Sequence, residues 1–352
     1  MAEKNYLQWL AEDTPTRWWH DSGVPAEIDA AFANGATGIT TNPVLTAKAL
    51  KGAPEFWEPK VKALGDDLDS DERAEALLKL VAGYAAERCL PVYEKTAGRL
   101  GYALGQLNPK RAGDAEAMYG QARRVRTWGK NVCVKLAATG AGIEVVERLA
   151  EEGVPVCASV NITVPQALET ALAYERGRER AIGKGIKPAL CIVVQQFGRL
   201  DDYIRDVARD GKAGVSEDDV RLAGLAVTKR THQIFKEKKF NSVIMPCAFR
   251  FPGQIAQVAG GDFILTMPPR TQRMALEGNL PRKYLIDEPI PPDVVDRLLT
   301  IPEYRRAYEP DGMRPNDFIA YGGVQKVLSQ FVEAGWALLE EYGSAKPSSR
   351  WT

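Results

Sequence analysis

Short apolar runs alternate with longer stretches of helical periodicity along the whole chain. An apolar run bounded by turn residues is typical of a buried strand, and apolar positions three and four residues apart are typical of a helix packed on one side. Eight such strands, each followed by helical material, predict parallel βα units. The predicted strands cover residues 17–21, 38–41, 102–108, 132–136, 156–160, 189–194, 242–247 and 263–266.

The intervening segments carry the signals of helix ends. The first predicted helix, 25–34, starts at Pro25 and is followed by Gly35, which is the usual order of these two residues at the ends of a helix. The other predicted helices cover residues 71–88, 114–128, 142–152, 165–181, 217–236 and 253–258.

Eight βα units in a chain of 352 residues favour a closed (β/α)8 barrel, the TIM barrel of the α/β class. An open doubly wound sheet is the alternative architecture. We expect one domain over residues 1–352, with the barrel at about 15–280, because no linker or repeat divides the chain. The Pro-rich stretch 281–292 is interpreted as the connection to a C-terminal helical extension at about 290–345. Within it, 315–342 has the pattern of an amphipathic helix, and a tail of this kind can cover one end of a barrel.

The balance of charges narrows the classes of function. Lysine and arginine together number 46, as do aspartate and glutamate, so the formal net charge is zero. This balance gives no general attraction to nucleic acid or to an anionic membrane, although a local anion site is compatible with it. Residues 1–10 contain no signal core, and no apolar run is long enough to span a bilayer. We therefore expect a soluble cytoplasmic protein that binds neither nucleic acid nor a membrane, and the sequence leaves open whether it forms a homo-oligomer.

Five cysteines and two histidines limit the available chemistry. An odd number of cysteines without a CxxC pair favours a reducing compartment over a disulfide framework. The two histidines, His20 and His232, are too few for the usual ligands of a zinc site, and no GxSxG elbow accompanies them. We expect neither a metal nor a cofactor, so the chemistry is sought among lysine, aspartate, glutamine and hydroxyl side chains.

Several predicted strands end in polar side chains, among them Asp21, Asn42, Lys135 and Ser159. In a barrel these strand ends meet at the face that carries the active site. Lys135 alternates with Cys133 and is therefore expected to point inward. Such a lysine either snorkels to the barrel rim or is a buried amine whose lowered pKa makes it nucleophilic towards a ketone.

Five segments together resemble the motifs of the transaldolase family and follow one another in the family's order. Residues 38–45, GITTNPVL, are similar to its TTNP strand, and residues 131–135, NVCVK, are similar to its Schiff-base strand. Residues 198–202, GRLDD, and 248–250, AFR, resemble its Gly-Arg and Ser-Phe-Arg phosphate motifs. Residues 259–266, AGGDFILT, resemble its last strand.

The resemblance covers residues 17–269 and implies a barrel enzyme that acts on sugar phosphates through a Schiff base. Lys135 would attack the ketose carbonyl to form an iminium ion, and Asp21 would act as general base on the hydroxyl of the bond being broken. Asn42 would hydrogen-bond the donor, and Ser159 falls where the family has a water-holding threonine. Each also has a structural interpretation, since Asp21 could be the N-cap of the helix that follows it, Asn42 could cap the turn before Pro43, and Ser159 could be a small core residue.

The resemblance also implies a phosphate clamp formed by Arg199 and Arg250, because two guanidinium groups near one face suit phosphate recognition. Without the resemblance, the same two residues would be interpreted as ordinary surface arginines. The remaining positions that the resemblance places at the site are Thr40, Gln106, Cys157, Val194 and Gln196.

The chain departs from the family's pattern in this same pocket. Gln106 stands where transaldolases carry a glutamate and fructose-6-phosphate aldolases carry a glutamine, and an amide can position a water but cannot exchange its proton. Cys157 replaces an asparagine, Val194 and Ala248 each replace a serine, and Gln196 replaces an aromatic residue. Losing hydrogen-bonding groups changes which donors are accepted more readily than it removes activity. The donor is therefore not fixed as fructose 6-phosphate.

A second alignment register is available, in which Asn161 and Thr163 supply the missing asparagine and threonine. The ungapped register is preferred because it also aligns Gln166, Ala167 and the helix that follows.

Four functions are compatible with these observations. The first is transfer of a dihydroxyacetone unit between sugar phosphates, and the second is a lyase in which the enamine is protonated and released, which Gln106 favours. A dinucleotide-binding protein is suggested by Gly140 and Gly142, but Val145 occupies the place of the fingerprint's third glycine. The fourth is a barrel that binds a ligand without catalysis, and the retained Lys135 argues against it.

Overall fold

The protein is described here by a computed structural model that covers residues 4–65 and 67–343. All strands in these residues pair in parallel, and the connections between successive strands contain helices, as the alternating pattern predicts. The strands are Arg17–His20 (β1), Ala103–Gln106 (β2), Val132–Ala137 (β3), Val156–Ser159 (β4), Cys191–Gln195 (β5), Val243–Pro246 (β6) and Ile264–Met267 (β7).

The helices surround the strands and continue beyond the last of them. They are Tyr6–Asp13 (α1), Pro25–Ala33 (α2), Pro43–Gly52 (α3), Pro54–Lys62 (α4), Ser70–Lys95 (α5), Ala115–Val125 (α6), Gly140–Glu151 (α7), Val164–Gly183 (α8), Phe197–Asp210 (α9), Glu217–Val220 (α10), Ala223–Lys238 (α11), Pro252–Gln257 (α12), Pro269–Glu277 (α13), Pro292–Leu298 (α14), Pro302–Tyr308 (α15), Pro315–Phe318 (α16), Gly322–Phe331 (α17) and Ala337–Glu341 (α18).

The strands form two parallel sheets. Five of them pair in the order β2-β3-β4-β5-β6, and β1 pairs with β7. Isolated parallel bridges connect the two sheets, from Ile39 to both His20 and Ala103 and from Ile244 to Phe263. The α/β class with parallel pairing is confirmed, while the closed eight-stranded barrel stays a prediction.

The predicted strand at 38–41 is wrong, because only Ile39 forms bridges there. The backbone N–H of Ile39 donates to the Tyr102 carbonyl, and Leu104 donates back to Ile39. The next backbone hydrogen bond of the strand pair would be accepted by the Leu104 carbonyl. This carbonyl instead accepts a hydrogen bond from the Thr41 hydroxyl at 2.5 Å. The chain then turns into α3, so the ladder ends after one residue.

The two faces of the strands pack into different apolar clusters. Trp18, Val134 and Val193 belong to the large cluster that also contains the apolar sides of the helices. Alternating residues such as Cys133 and Val194 belong to a smaller cluster formed mainly by strand residues. This alternation has the period of two expected of a strand with both faces buried.

One predicted helix, 217–236, is wrong as a single element, since it divides into α10 and α11. The break has a physical cause. The backbone N–H of Gly224 donates to the Asp201 carboxylate at 2.8 Å, which fixes the start of α11 against α9. The prediction also missed α3, α9 and α13, all of which lie close to the site described below.

The predicted C-terminal helix 315–342 is likewise interrupted. Between α16 and α17, Tyr321 is buried and its hydroxyl donates to the Glu303 carbonyl at 2.9 Å, which holds a turn there. After α17 the chain forms a π-helical turn, Val332–Trp336, before α18. The wider turn brings the Trp336 indole within 3.0 Å of Asp71 on α5. The tail is therefore a broken helix that docks on the helices of the fold.

All five cysteines are free and buried. Among the residues that the structure covers, no helix has both the length and the apolar character needed to cross a membrane. The assignment of residues 1–352 to one domain stays a prediction, and its last residues, 344–352, lie outside the described part.

Candidate active site

A cavity of about 400 Å³ lies at the carboxyl ends of the strands. A volume of this order suits a small-molecule ligand. Two of the predicted site residues, Gln106 and Cys157, are buried but do not line it. The predicted residues that do line it are Asp21, Thr40, Asn42, Lys135, Ser159, Val194, Gln196, Arg199 and Arg250.

Lys135 lies on β3, between Gln106 on β2 and Cys157 on β4 in the strand register. Only 4% of its surface is exposed, so it does not reach into solvent as a snorkelling lysine would. Its Nζ atom lies 5.9 Å from the centre of the Phe331 ring, which belongs to the C-terminal helices. Within 4–65 and 67–343, this amine has no hydrogen-bond or ion-pair partner, so it is available to a ligand in the cavity.

Asp21 follows β1 and shares the cavity with Lys135. Burial raises the pKa of its carboxyl to about 6, against the opposing effects of the Lys135 and Lys48 charges and of a hydrogen bond with Thr266. Asp21 does not cap the helix that follows it, because the N-cap of α2 is Val24 and no side chain caps that end. A carboxyl group with this pKa can exchange a proton near neutral pH.

Thr40 and Asn42 lie on the same wall of the cavity. The hydroxyls of Thr40 and Thr266 are 2.7 Å apart, so one donates to the other. The Asn42 side-chain oxygen accepts a hydrogen bond from the Leu45 N–H at 2.9 Å and caps α3. The structural interpretation of Asn42 is thus confirmed, and its amide nitrogen is still a donor that a ligand in the cavity can use.

Three buried polar atoms around Lys135 have no hydrogen-bond partner among the described residues. They are the Gln106 Oε1, Ser159 Oγ and Gln196 Oε1 atoms. Leaving a buried polar group unsatisfied costs about 1–3 kcal/mol, so such groups gather where a ligand or a water can satisfy them. Ser159 and Gln196 line the cavity, so their unsatisfied oxygens make part of its wall polar, whereas Gln106 lies beside Lys135 in the strand register and outside the lining.

The two alignment registers place different residues at the site. Asn161 and Thr163 do not line the cavity. Asn161 accepts a hydrogen bond from the Gln195 amide at 3.3 Å, and Thr163 caps α8 by accepting from the Gln166 N–H at 3.2 Å. Of the two positions that the ungapped register places at the site, Ser159 lines the cavity and Cys157 does not.

Arg199 and Arg250 form a guanidinium pair at one side of the cavity. Arg199 belongs to the first turn of α9, and Arg250 lies in the loop after β6. Burial and the charge of Arg250 both lower the pKa of Arg199, so the two cations are close enough to repel each other. Arg250 is held by the Asp202 carboxylate at 2.5 and 3.3 Å and by the Ala248 carbonyl at 2.9 Å. An anion bound between the two groups would relieve their repulsion.

Gly198 allows α9 to approach the Arg250 loop. A Cβ atom at this position would lie 2.0 Å from the Ala248 carbonyl oxygen and 3.1 Å from the Arg250 Cζ atom. A side chain would therefore push the arginine pair apart. This contact explains why glycine precedes Arg199 in the chain.

Asp201 supports the backbone of the same loop through Gln254. Its carboxylate accepts hydrogen bonds from the Gly224 N–H at 2.8 Å and from the Gln254 amide at 2.9 Å. The Gln254 oxygen in turn accepts from the Arg250 N–H at 2.7 Å. Burial raises the pKa of Asp201 to about 7, against the opposing effect of these hydrogen bonds. The neighbouring carboxylates, Asp201 and Asp202, thus fix the backbone and the side chain of Arg250.

A family model described as transaldolase/fructose-6-phosphate aldolase matches residues 18–296. The chain belongs to this family. The transaldolase of Neisseria meningitidis serogroup C (strain FAM18) is 28% identical over 188 residues, which is 51% of this chain and 54% of that protein. Transaldolase 1 of Streptomyces avermitilis is 29% identical and covers 66% of this chain and 64% of its own. Transaldolase 2 of Nostoc punctiforme is 30% identical, with coverage of 76% and 78% respectively.

This transaldolase-family chain spans about half the length of the Neisseria relatives that it matches. Its Lys135, Asp21, Arg199 and Arg250 side chains line one cavity. Another wall of that cavity is apolar or weakly polar, since it contains Val194, Met245 and Cys247. Burial raises the pKa of the Cys247 thiol to about 12, so the thiol stays protonated at neutral pH.

The glycines that suggested a dinucleotide site have a packing role in this transaldolase-family chain. A Cβ atom at Gly142 would lie 1.8 Å from the Ala137 carbonyl oxygen, so glycine allows α7 to pack closely on β3. Thr139 caps this helix through the Gly142 N–H at 3.0 Å. Close helix packing thus accounts for Gly142 without a dinucleotide.

Sequence reasoning missed several residues that line the cavity, and five of them carry charged, polar or aromatic side chains that bear on the site. Lys48 and Arg270 lie on α3 and α13, which were not predicted as helices, so the lysine and arginine could not be placed. Thr266 was recognised only as the end of a strand, although such ends face the cavity. Gln330 and Phe331 come from the C-terminal helices, and only the apolar pattern of that tail gave a signal.

Proposed function

We propose that this chain is a transaldolase-type Schiff-base enzyme, which transfers a dihydroxyacetone unit from a ketose phosphate to an aldose phosphate. One observation carries the proposal: Lys135, Asp21, Arg199 and Arg250 line a single cavity. Membership of the transaldolase/fructose-6-phosphate aldolase family and the names of the relatives support the same chemistry.

The first half of the reaction breaks a carbon–carbon bond. The Lys135 amine attacks the ketone carbon of the donor, and loss of water from the adduct gives an iminium ion. The Asp21 carboxylate removes the proton of the hydroxyl on the far carbon of the bond to be broken. As that bond breaks, its electron pair moves into the iminium to form an enamine, and the aldose phosphate leaves.

The second half runs the same steps in reverse with a new aldehyde. The enamine carbon attacks the carbonyl carbon of the acceptor, and the protonated Asp21 returns its proton to the oxygen that becomes a hydroxyl. Water then hydrolyses the new iminium and frees the Lys135 amine. Ser159, which lines the cavity and has an unpartnered hydroxyl, and Gln106, which lies beside Lys135 in the strand register, would hold that water.

Arg199 and Arg250 would bind the phosphate group of donor and acceptor alike. The length of the sugar would separate the bound phosphate from the reacting carbons. Phosphate binding would thereby align the bond to be broken between Lys135 and Asp21. Binding energy from the phosphate would in this way be used to orient the reacting atoms.

We also propose that the two sheets close into an eight-stranded barrel. The bridges of Ile39 would represent a short strand between β1 and β2, and the bridge from Ile244 to Phe263 would join β6 to the β7 side. The family supports this architecture, in which the carboxyl ends of all strands face one site.

Borohydride trapping tests the lysine assignment. The protein is incubated with a panel of ketose phosphates, reduced with borohydride, and analysed by intact mass and peptide mapping. We expect one adduct, located on Lys135, and no adduct in Lys135→Met. As a matched control, Lys130→Met removes a surface lysine near the start of the same strand and should leave the adduct unchanged. An adduct in the Lys135→Met protein would overturn the proposal.

A lyase is the second candidate, and Gln106 favours it. This amide lies beside Lys135 in the strand register and can position a water without exchanging its proton. Protonation and hydrolysis of the enamine would then release a free ketone. Product analysis without an added acceptor separates the two functions, because a transferase stops after one turnover and a lyase releases dihydroxyacetone steadily.

A further inference from the structure

The C-terminal helices place an aromatic ring beside the reactive lysine. Phe331 is the last residue of α17, and it lines the active-site cavity together with Gln330. The Lys135 Nζ atom lies over this ring, 5.9 Å from its centre. Both residues are almost fully buried, with 6% of Phe331 and 4% of Lys135 exposed. The ring therefore forms the wall of the cavity next to the nitrogen that would carry the covalent intermediate.

The chain that follows Phe331 is anchored on the fold. Its π-helical turn packs on the start of α3, since a Cβ atom at Gly335 would lie 2.7 Å from the Pro43 Cβ atom. At the end of this turn, the Trp336 indole donates to the Asp71 carboxylate on α5 at 3.0 Å. These two contacts fix the end of α17 that carries the ring.

The start of α17 is fixed on α9, the helix of the phosphate clamp. Gly323 allows the two helices to approach each other, because a Cβ atom there would lie 3.1 Å from the Tyr203 Cδ1 atom. Further along α17, Lys326 forms an ion pair with Asp206 on α9. Contacts on both sides of Phe331 thus hold its ring against the cavity.

The intermediate that this ring borders can be destroyed by water. In the proposed reaction, the dihydroxyacetone unit stays on Lys135 as an enamine until an aldehyde arrives. A water molecule can instead give a proton to the enamine carbon, which forms an iminium ion and hydroxide. The hydroxide adds to the iminium carbon, its proton passes to the nitrogen, and cleavage of the carbon–nitrogen bond releases free dihydroxyacetone and the amine. Excluding water from the intermediate suppresses this side reaction.

The ring acts on the intermediate by occupying space more than by attracting its charge. A cation–π attraction requires a ring centre within about 6 Å of the cation, and the observed 5.9 Å lies at that limit. Replacing the ring by a methyl group, in contrast, would leave a void that is open to the cavity and next to a polar nitrogen. A void that is roomy and has polar partners can hold water.

We propose that Phe331 determines the fate of the enamine: its ring keeps water from the Lys135 nitrogen and so favours transfer to an aldehyde over release of free dihydroxyacetone. The inference rests on the proposed function, because it takes Lys135 as the residue that carries the intermediate. The one water that frees the final product is the water assigned above to Ser159 and Gln106. That water adds only to an iminium ion, so it does not attack the waiting enamine.

The partition of the intermediate between aldehyde and water tests this role. Each protein receives a ketose phosphate that forms the Lys135 adduct and an aldose phosphate at one fixed concentration, and the rates of transfer and of dihydroxyacetone release are measured together. The ratio of these two rates does not depend on how much of the protein is folded. In Phe331→Ala, we expect the ratio to fall about 10-fold, because release accelerates more than transfer. Phe331→Leu fills part of the space, so it should give an intermediate ratio, and it provides the test if the alanine variant does not fold.

The matched control is Leu328→Ala. Leu328 is buried on the same helix and belongs to the same apolar cluster as Phe331, but it does not line the active-site cavity. Both alanine substitutions should lower the temperature of thermal unfolding, whereas Leu328→Ala should leave the ratio unchanged. An unchanged ratio in Phe331→Ala would overturn the proposal. An equal fall in Leu328→Ala would also overturn it, since the ring would then act only through the packing of the C-terminal helices.

Failure of this role can be distinguished from failure of the proposed function. If the proposed function is wrong, borohydride gives no Lys135 adduct, or the unmodified protein releases dihydroxyacetone as fast as it transfers it. If only the role of Phe331 is wrong, the adduct forms, the unmodified protein transfers in preference to releasing the ketone, and Phe331→Ala keeps the same ratio.

Discussion

Asp21 illustrates how burial changes the chemistry of a single residue. A carboxyl group in water is ionised at neutral pH and is a poor proton acceptor, but burial raises the pKa of Asp21 to about 6. The charges of Lys135 and Lys48 and the hydrogen bond from Thr266 oppose that rise. The balance leaves a group that is ionised at pH 7 and still basic enough to accept a proton from a hydroxyl.

This balance predicts the pH dependence of the reaction. Because Asp21 must be ionised to act as base, kcat/KM for a ketose phosphate should rise with pH through about 6 and then level off. Removing the nearby cation in Lys48→Gln should raise the pKa of Asp21 and move the acidic limb of the pH–rate profile to higher pH. The control Lys51→Gln should leave this limb where it is. A pH–rate profile of the three proteins is the measurement, and a limb that moves to lower pH in Lys48→Gln would refute the assignment.

At the scale of elements, the phosphate clamp depends on contacts between α9 and the loop after β6. Asp202 holds the Arg250 side chain, while Asp201 and Gln254 hold its backbone. The sequence motifs indicated the two arginines but not the contacts that hold Arg250 in place. These contacts could not be predicted because Gln254 lies on α12, and its contact with Asp201 joins residues far apart in the chain.

The clamp predicts a selective effect of Arg199→Ala. Hydrogen bonds to a charged group contribute about 1.5–3 kcal/mol, so KM for a phosphorylated substrate should rise about 10- to 100-fold. KM for the corresponding unphosphorylated sugar should change little, because the lost guanidinium has no partner on it. Arg209→Ala, on the same helix but exposed and outside the cavity, serves as control. Steady-state kinetics with both substrates would disprove the clamp if the two KM values rose equally.

At the scale of the whole molecule, the alternation of strands and helices was predictable. A strand that is buried on both faces of a parallel sheet consists of a continuous run of apolar residues, and such runs can be recognised in the sequence. The wall of the cavity was only partly predictable. Gln106 and Cys157 belong to the right strands but lie outside the cavity lining, and Lys48 and Arg270 reach it from two helices that were not predicted. Which strand-end residues line a cavity depends on how the strands and their helices pack, which local periodicity does not encode.

The buried thiols give a test of the packed molecule. All five cysteines are free and buried, and burial raises the pKa of each thiol. The native protein should therefore react very slowly with a thiol reagent at pH 8, and all five cysteines should react after denaturation. Thiol titration with and without denaturant is the check. Rapid labelling of a cysteine other than Cys247, which lines the cavity, would contradict this packing.

The central claim is that Lys135, Asp21 and the arginine pair act together on one substrate. The most direct measurement is a crystal structure of the protein reduced with borohydride in the presence of a ketose phosphate. The account predicts continuous density from the Lys135 Nζ atom to the former carbonyl carbon, a substrate hydroxyl within hydrogen-bonding distance of Asp21, and the phosphate between Arg199 and Arg250. Density that joins the sugar to another lysine, or a phosphate bound away from both arginines, would contradict it.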